Sequence, residues 1–313
     1  MTDQASGALE SNATWGDRLF AALQYVLPKQ LLSRFIYSVM RIESPAIRRL
    51  IIANFLRVYA VNMAEAAQPD PFAYRSFNDF FTRALRPDAR PIASAADIAV
   101  SPVDGTLSQC GGIRASSVLQ AKGRDYSLTE LLANDAAAID AYRDGSFACI
   151  YLAPYNYHRI HMPLAGHLRS TVYVPGDLFS VNAATARAVP RLFARNERVI
   201  CDFDTEAGRM AVILVGALFV GSMETVHCGE INPPPRRRKA PQLISKGAGR
   251  EFAKGEELGR FNMGSTVILL FERDRVRWED RLVPELKVKL GEAIGQTAAT
   301  RIQLPFQASD SHA

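Results

Sequence analysis

The sequence is short of the features that settle a protein's class at a glance. Its four cysteines, Cys110, Cys149, Cys201 and Cys228, stand apart with no CxxC pair. That excludes a disulfide-stapled scaffold and a cysteine-ligated zinc site, and implies reduced thiols in a cytosolic setting. Twenty glycines and 17 prolines among 313 residues are too few for a collagenous or low-complexity chain, and no block recurs as a repeat array requires. The longest uncharged apolar run extends only from Met210 to Met223 and contains Gly216 and Gly221. A spanning helix needs roughly 20 apolar residues, so this run reads as buried strand. Met1 to Asn12 is polar and acidic, without the basic region, apolar block and cleavage site of a secretory signal, and export is not expected. Neither charge dominates: 37 basic against 32 acidic side chains leave +5, a mild preference for anionic partners, and no recognition motif points to nucleic acid.

What is present begins near Asp17. Leu19, Phe20, Leu23, Val26 and Leu27 fall on one helical face, and Pro28 interrupts them. Leu31, Leu32, Phe35, Ile36, Val39 and Met40 continue the pattern, then Ile47, Leu50, Ile51, Phe55 and Val58 after Ser44-Pro45. Three amphipathic helices are predicted. Arg18, Lys29, Arg34, Arg41, Arg48, Arg49 and Arg57 lie among them, a mix suited either to an anionic lipid interface or to helices packed on a core.

Residues Gln68 to Pro91 read as a connector with a short helix over Phe77 to Leu85. Beyond it the texture is β: Ile98–Val100, Phe147–Leu152, Thr171–Val174, Val199–Phe203, Met210–Val220 and Thr266–Phe271 are short, branched or aromatic, and bounded by Gly, Pro or Asp. One helix, Leu128 to Ala141, interrupts them. Without regular βαβ alternation the pattern predicts an α+β fold: a mainly antiparallel, sandwich-like β core with helices at one end. Pro233-Pro-Pro-Arg-Arg-Arg-Lys239 must be an exposed loop, because adjacent cations are not buried unpaired. It reads as a solvated loop or as an anionic-lipid contact through Arg236, Arg237, Arg238 and Lys239.

Three segments can carry chemistry. Only five histidines exist, and His158 and His161 stand three apart in Tyr157-His-Arg-Ile-His-Met-Pro163. A metal pair, core histidines and general acid/base groups are all open readings, although no HExxH glutamate or cysteine cluster completes a metal site. In Ser101-Pro-Val-Asp-Gly105, Asp104 either caps a turn or orients a histidine. Gly264-Ser265-Thr266 precedes the strongest β run. It lacks the GxSxG elbow of serine hydrolases, but Gly264 sets an unhindered carbonyl just before a hydroxyl nucleophile.

Together these segments, with Leu178-Phe-Ser-Val-Asn182, Leu192-Phe-Ala-Arg-Asn-Glu-Arg-Val199, Val220-Gly-Ser-Met223 and Lys254-Gly-Glu256, resemble the phosphatidylserine decarboxylase family, pyruvoyl-dependent and of prokaryotic type. The resemblance runs from about Phe72 to beyond Arg277. It departs at Met263, where the family commonly has Leu, a swap that conserves size and apolarity.

The resemblance implies a proenzyme cleaved between Gly264 and Ser265, with Asp104, His161 and Ser265 as maturation triad. His161 would take the hydroxyl proton of Ser265 and Asp104 would hold the imidazole tautomer. A β chain (1–264) and an α chain (265–313) would stay together as a heterodimer of unspecified higher assembly. Ser265 would become the pyruvoyl group that forms a Schiff base with phosphatidylserine and takes up electrons as CO2 leaves, giving phosphatidylethanolamine. His158 would serve decarboxylation, as proton donor or carboxylate holder. No metal is implied. Residues 1–64 would form a membrane-associating region and 65–313 the catalytic domain, peripheral on the cytoplasmic face of the cell membrane and in contact with anionic lipid. A Ser/His/Asp lipid hydrolase and a non-catalytic membrane-binding protein are the rival readings.

Overall fold

A computed structural model describes residues 13–121, 124–219, 222–233, 238–247 and 249–298. Its centre follows from one feature of the sequence: the strands in the middle of the chain are apolar at nearly every position. Along Ser265–Phe271, Val267, Leu269 and Phe271 join one buried cluster while Ile268 and Leu270 join another on the opposite side. Gly208–Val215 and Ser146–Leu152 alternate likewise. Side chains of successive strand residues point to opposite faces, so a sheet built from such strands must be covered on both.

That sheet is antiparallel, and its strands run in the order Gln242–Ser245, Gly166–Val174, Arg198–Thr205, Gly208–Val215, Ser265–Phe271, Ser146–Leu152, Gly105–Gly112, Lys287–Val288. One face is covered by two smaller sheets. The first contains Ile98–Val100, Ala293–Thr297 and Val276–Trp278, and the second Gly229–Ile231, Met223–Thr225, Glu257–Phe261 and Arg159–His161. The other face lies under short helices, α5 (Leu128–Leu131), α6 (Ala136–Tyr142), α7 (Ala183–Ala188) and α8 (Leu192–Arg195). The α+β class and the antiparallel core are as expected. The helices, however, cover a face and not only one end, because the central strands have no polar side to leave in water. The helix expected over Leu128–Ala141 is two helices, split where Ala133 and Asn134 turn left-handed and Asp135 caps the second.

Three helices precede the core, α1 (Trp15–Val26), α2 (Lys29–Val39) and α3 (Pro45–Val58). Phe55 and Ile52 of α3 pack on Phe77, Phe80 and Phe81 of α4 (Phe77–Phe81), which is shorter than the sequence pattern suggested. In α1 the burial is inverted. Its inward residues are Asp17, Ala21 and Gln24: Asp17 pairs with Arg187, and Gln24 bonds Thr185 and the backbone N–H of Ser180. Its apolar face looks outward, with Trp15 85%, Leu23 55% and Val26 79% exposed. Leu31 and Phe35 of α2 and Leu50 of α3 are exposed as well. Among the described residues no helix is long and apolar enough to cross a membrane.

Candidate active site

The sequence-predicted residues gather at one end of the large sheet. Ser265 opens its strand opposite Leu152, the last residue of Ser146–Leu152, and Thr266 lies opposite Val215, which ends the neighbouring strand. Asp104 precedes Gly105–Gly112, and a Cβ on Gly105 would stand 2.6 Å from the Tyr151 carbonyl oxygen. Only glycine lets the Asp104 loop approach so closely. His158 lies in the loop after Leu152, and His161 ends the strand Arg159–His161, its N–H donating to the Pro102 carbonyl beside Asp104.

Each side chain has a distinct environment. Ser265 is fully buried and its Oγ has no hydrogen-bond partner. Buried polar groups are nearly always bonded, so this hydroxyl calls for an explanation; Thr266 Oγ1 beside it is unbonded too, but only Ser265 adjoins the Gly264 carbonyl. Just upstream, Asn262 is pinned: its N–H donates to the Ser222 carbonyl, its Nδ2 to Ser222 Oγ, and its Oδ1 accepts from Asn78 of α4. Met263, held between two apolar clusters, has φ 140°, a region that side chains other than glycine occupy only under strain of about 1–3 kcal/mol. The strained residue thus adjoins the Gly264–Ser265 peptide.

At His161, Nδ1 lies 2.8 Å from the Gly255 carbonyl and Nε2 lies 3.0 Å from the Tyr157 hydroxyl. A carbonyl only accepts, so Nδ1 carries the proton and Nε2 is the basic nitrogen, here accepting from Tyr157. Burial lowers the pKa of this imidazole, which keeps it neutral and able to take a proton. The tautomer is therefore fixed by Gly255, and not by Asp104 as the triad analogy suggested. Asp104 instead receives Arg90, Nε at 2.9 Å and Nη2 at 2.6 Å, and the Leu290 N–H at 2.9 Å. Arg90 also reaches Glu65 at 2.7 Å. Asp104 touches His161 through its field alone, as one of the charges that raise its proton affinity.

His158 is fully buried and stacks on Phe81 at 4.0 Å. Its Nε2 faces the Pro154 carbonyl at 3.4 Å and its Nδ1 has no partner. Burial, aided by the charge of Arg83, pushes its pKa down to about 3, so it is neutral across the physiological range. No group of three or more metal-ligating side chains occurs among the described residues. Arg236 and Arg237 lie outside those residues. Arg238 bonds Gln242 and Lys239 is exposed.

Arg83, Arg90, Tyr157, Gly255 and Asn262 were not singled out by the sequence. Arg90 carries no local signal, and Gly255, although it falls in the Lys254-Gly-Glu256 segment, shows nothing there of its contact with a histidine 94 positions away.

An antiparallel core brings an unbonded serine, a neutral histidine and a carboxylate to one sheet end with no nucleophile elbow, and comparison with known proteins assigns that arrangement to a decarboxylase family. Residues 77–296 match the phosphatidylserine decarboxylase family, and residues 19–60 match a second family described as PSD; the chain belongs to the phosphatidylserine decarboxylase family. It is 50% identical over 290 residues to the phosphatidylserine decarboxylase proenzyme of Bordetella pertussis, covering 92% of this chain and 98% of that protein. It is 51% identical over 282 residues to the proenzyme of Marinobacter nauticus, 90% of this chain and 98% of that one, and 52% identical over 261 residues to that of Alkalilimnicola ehrlichii, 83% and 91%.

Proposed function

We propose that the chain cleaves itself at Gly264–Ser265 and that the mature enzyme decarboxylates phosphatidylserine to phosphatidylethanolamine at a pyruvoyl group made from Ser265. The observation that carries this reading is the buried, unbonded Ser265 hydroxyl directly after a pinned and strained segment. His161 Nε2, once Tyr157 releases it, takes the hydroxyl proton. Oγ attacks the Gly264 carbonyl carbon, the C–N bond breaks, and the chain passes from amide to ester. Elimination then frees the Gly264 carboxylate, and addition of water with loss of ammonia leaves a keto group. A Cβ at 264 would meet nothing nearer than the Leu152 carbonyl at 3.6 Å, and φ there is ordinary. Packing does not demand glycine at that position, so open access to its carbonyl is the reason that fits.

Formed there, the pyruvoyl group supplies an electron sink for the pair left behind as CO2 departs. The surrounding residues accommodate it: Ser265 and His158 are fully buried, the hydroxyl is not committed elsewhere, and His158 offers a neutral, unpartnered Nδ1 beside an aromatic face. Mass spectrometry of the denatured protein tests the proposal. Two species are expected, the smaller beginning at position 265 and lighter than a serine terminus by the amine-to-ketone change. A single species of 34.5 kDa that fluorophosphonate labels at Ser265 would replace the reading with a lipid hydrolase.

The membrane is the partner that suits α1–α3. A helix that turns Asp17 and Gln24 inward and Leu19, Leu23 and Val26 outward is amphipathic in the sense opposite to a soluble packing helix. Arg18 of α1, Arg34 of α2 and Arg48 of α3 add the cations that suit an anionic, cytoplasmic leaflet. Leu19→Asp with Leu23→Asp alters positions 57% and 55% exposed, so folding should be unaffected. Flotation with anionic vesicles should fall more than tenfold, since burying one leucine contributes about 1.5–3 kcal/mol. Unchanged flotation would remove the anchor.

A further inference from the structure

Arg83 follows α4 and is 4% exposed. Among the described residues no carboxylate pairs with it. Its Nη2 makes two long contacts, 3.4 Å each, to the Tyr155 and Asn156 carbonyls, and its Nε has no partner. The fold treats another buried guanidinium quite differently. Arg198 donates four bonds of 2.5–3.0 Å to the Leu131, Ala194, Asn196 and Glu130 carbonyls, and Arg90 holds two carboxylates. A buried cation left so poorly satisfied is costly, and an anion brought by a ligand would supply what the fold withholds. The location is suitable: Arg83 lies against the loop that carries His158 and is near enough to depress that imidazole's proton affinity.

The substrate offers two anions. The carboxylate loses its charge as CO2 leaves, so a guanidinium clamped on it would stabilise the ground state more than the transition state and slow the reaction. The phosphodiester keeps its charge throughout, and binding it costs nothing in the chemical step. The neutral His158 and the Phe81 ring instead offer the carboxylate neighbours that carry no charge of their own, which favours its loss.

We propose that Arg83 binds the phosphodiester of the lipid headgroup and so holds the serine in register with Ser265. The inference rests on phosphatidylserine being the substrate. Full-length Arg83→Gln and Arg83→Lys would be assayed in mixed micelles after mass spectrometry has confirmed cleavage, with phosphatidylethanolamine as product inhibitor. For Arg83→Gln, KM and the inhibition constant of phosphatidylethanolamine should rise together by about tenfold to a hundredfold, as for a lost charge-assisted hydrogen bond, while kcat falls less than about threefold. Arg83→Lys should recover part of both. A rise in KM with unchanged product inhibition would assign Arg83 to the carboxylate and overturn the proposal, as would a fall in kcat alone or no change.

Should neither variant be cleaved, the wild-type enzyme decides. A diacyl methyl phosphotriester of ethanolamine should inhibit at least tenfold more weakly than phosphatidylethanolamine, and equal inhibition refutes the assignment. Wild-type protein that releases no CO2 from phosphatidylserine would end the substrate reading itself, an outcome distinct from failure of the Arg83 inference.

Discussion

Ser265→Ala should leave the chain whole, at 34.5 kDa, with no CO2 released, and should do so without destabilising it. Most substitutions of a fully buried polar residue cost stability because a bonded partner is left behind. Ser265 Oγ has no such partner, so its removal abandons nothing and relieves the desolvation of one hydroxyl, on the order of 1 kcal/mol. The comparison is between two uncut chains, Ser265→Ala and His161→Ala. The histidine variant loses bonds to both Gly255 and Tyr157 and should melt several degrees lower. Cleavage of the Ser265→Ala chain at position 264 would show that the nucleophile lies elsewhere, and a melting temperature below that of His161→Ala would show that the hydroxyl has a structural role.

The same geometry explains why the two pieces would stay together after cleavage. Ser265–Phe271 is a central strand, paired over its full length with Ser146–Leu152 on one side and from Thr266 with Gly208–Val215 on the other. Every residue in it is buried. A fragment starting there cannot leave without stripping both neighbours of their ladder bonds and opening two apolar clusters at once.

Much of this was legible in the sequence, for identifiable reasons. Strands announce themselves through apolar and branched runs, so Ser265–Phe271 and Ser146–Leu152 were found nearly to the residue. Ser265, His158, His161 and Asp104 stood out because few histidines exist and because the Gly-Ser-Thr and Asp-Gly turns adjoin strands. Environment was not legible. Nothing near His161 in the chain says that Gly255 fixes its tautomer, and nothing near Asp104 says that Arg90 and Leu290 occupy its oxygens, because those partners come from loop segments that only the folded chain brings there. The periodicity of α1 marked a face but not its direction. Only the burial of Asp17 and Gln24 shows that the apolar side looks outward.

Asp104→Asn should be uncut as well, and its partnership with Arg90 allows the cause to be separated. As a carboxylate, Asp104 accepts from the Arg90 fork and the Leu290 N–H while its charge raises the proton affinity of His161. An amide removes the charge and turns a donor toward the guanidinium. Arg90 would retain Glu65, so the loss of stability should be about 2 kcal/mol, less than the roughly 3–5 kcal/mol typical of a wholly orphaned buried charge. Adding Arg90→Gln removes the guanidinium that the new amide faces and should restore most of the melting temperature, since Glu65, with 27% of its side chain exposed, is left to water. Self-cleavage then discriminates. If the charge of Asp104 stabilises the imidazolium formed as His161 takes the Ser265 proton, the stable double variant remains uncut, slower by more than about a hundredfold. If Asp104 only braces the loop through Arg90, the double variant regains both its fold and its cleavage, and the carboxylate loses its place in the maturation chemistry.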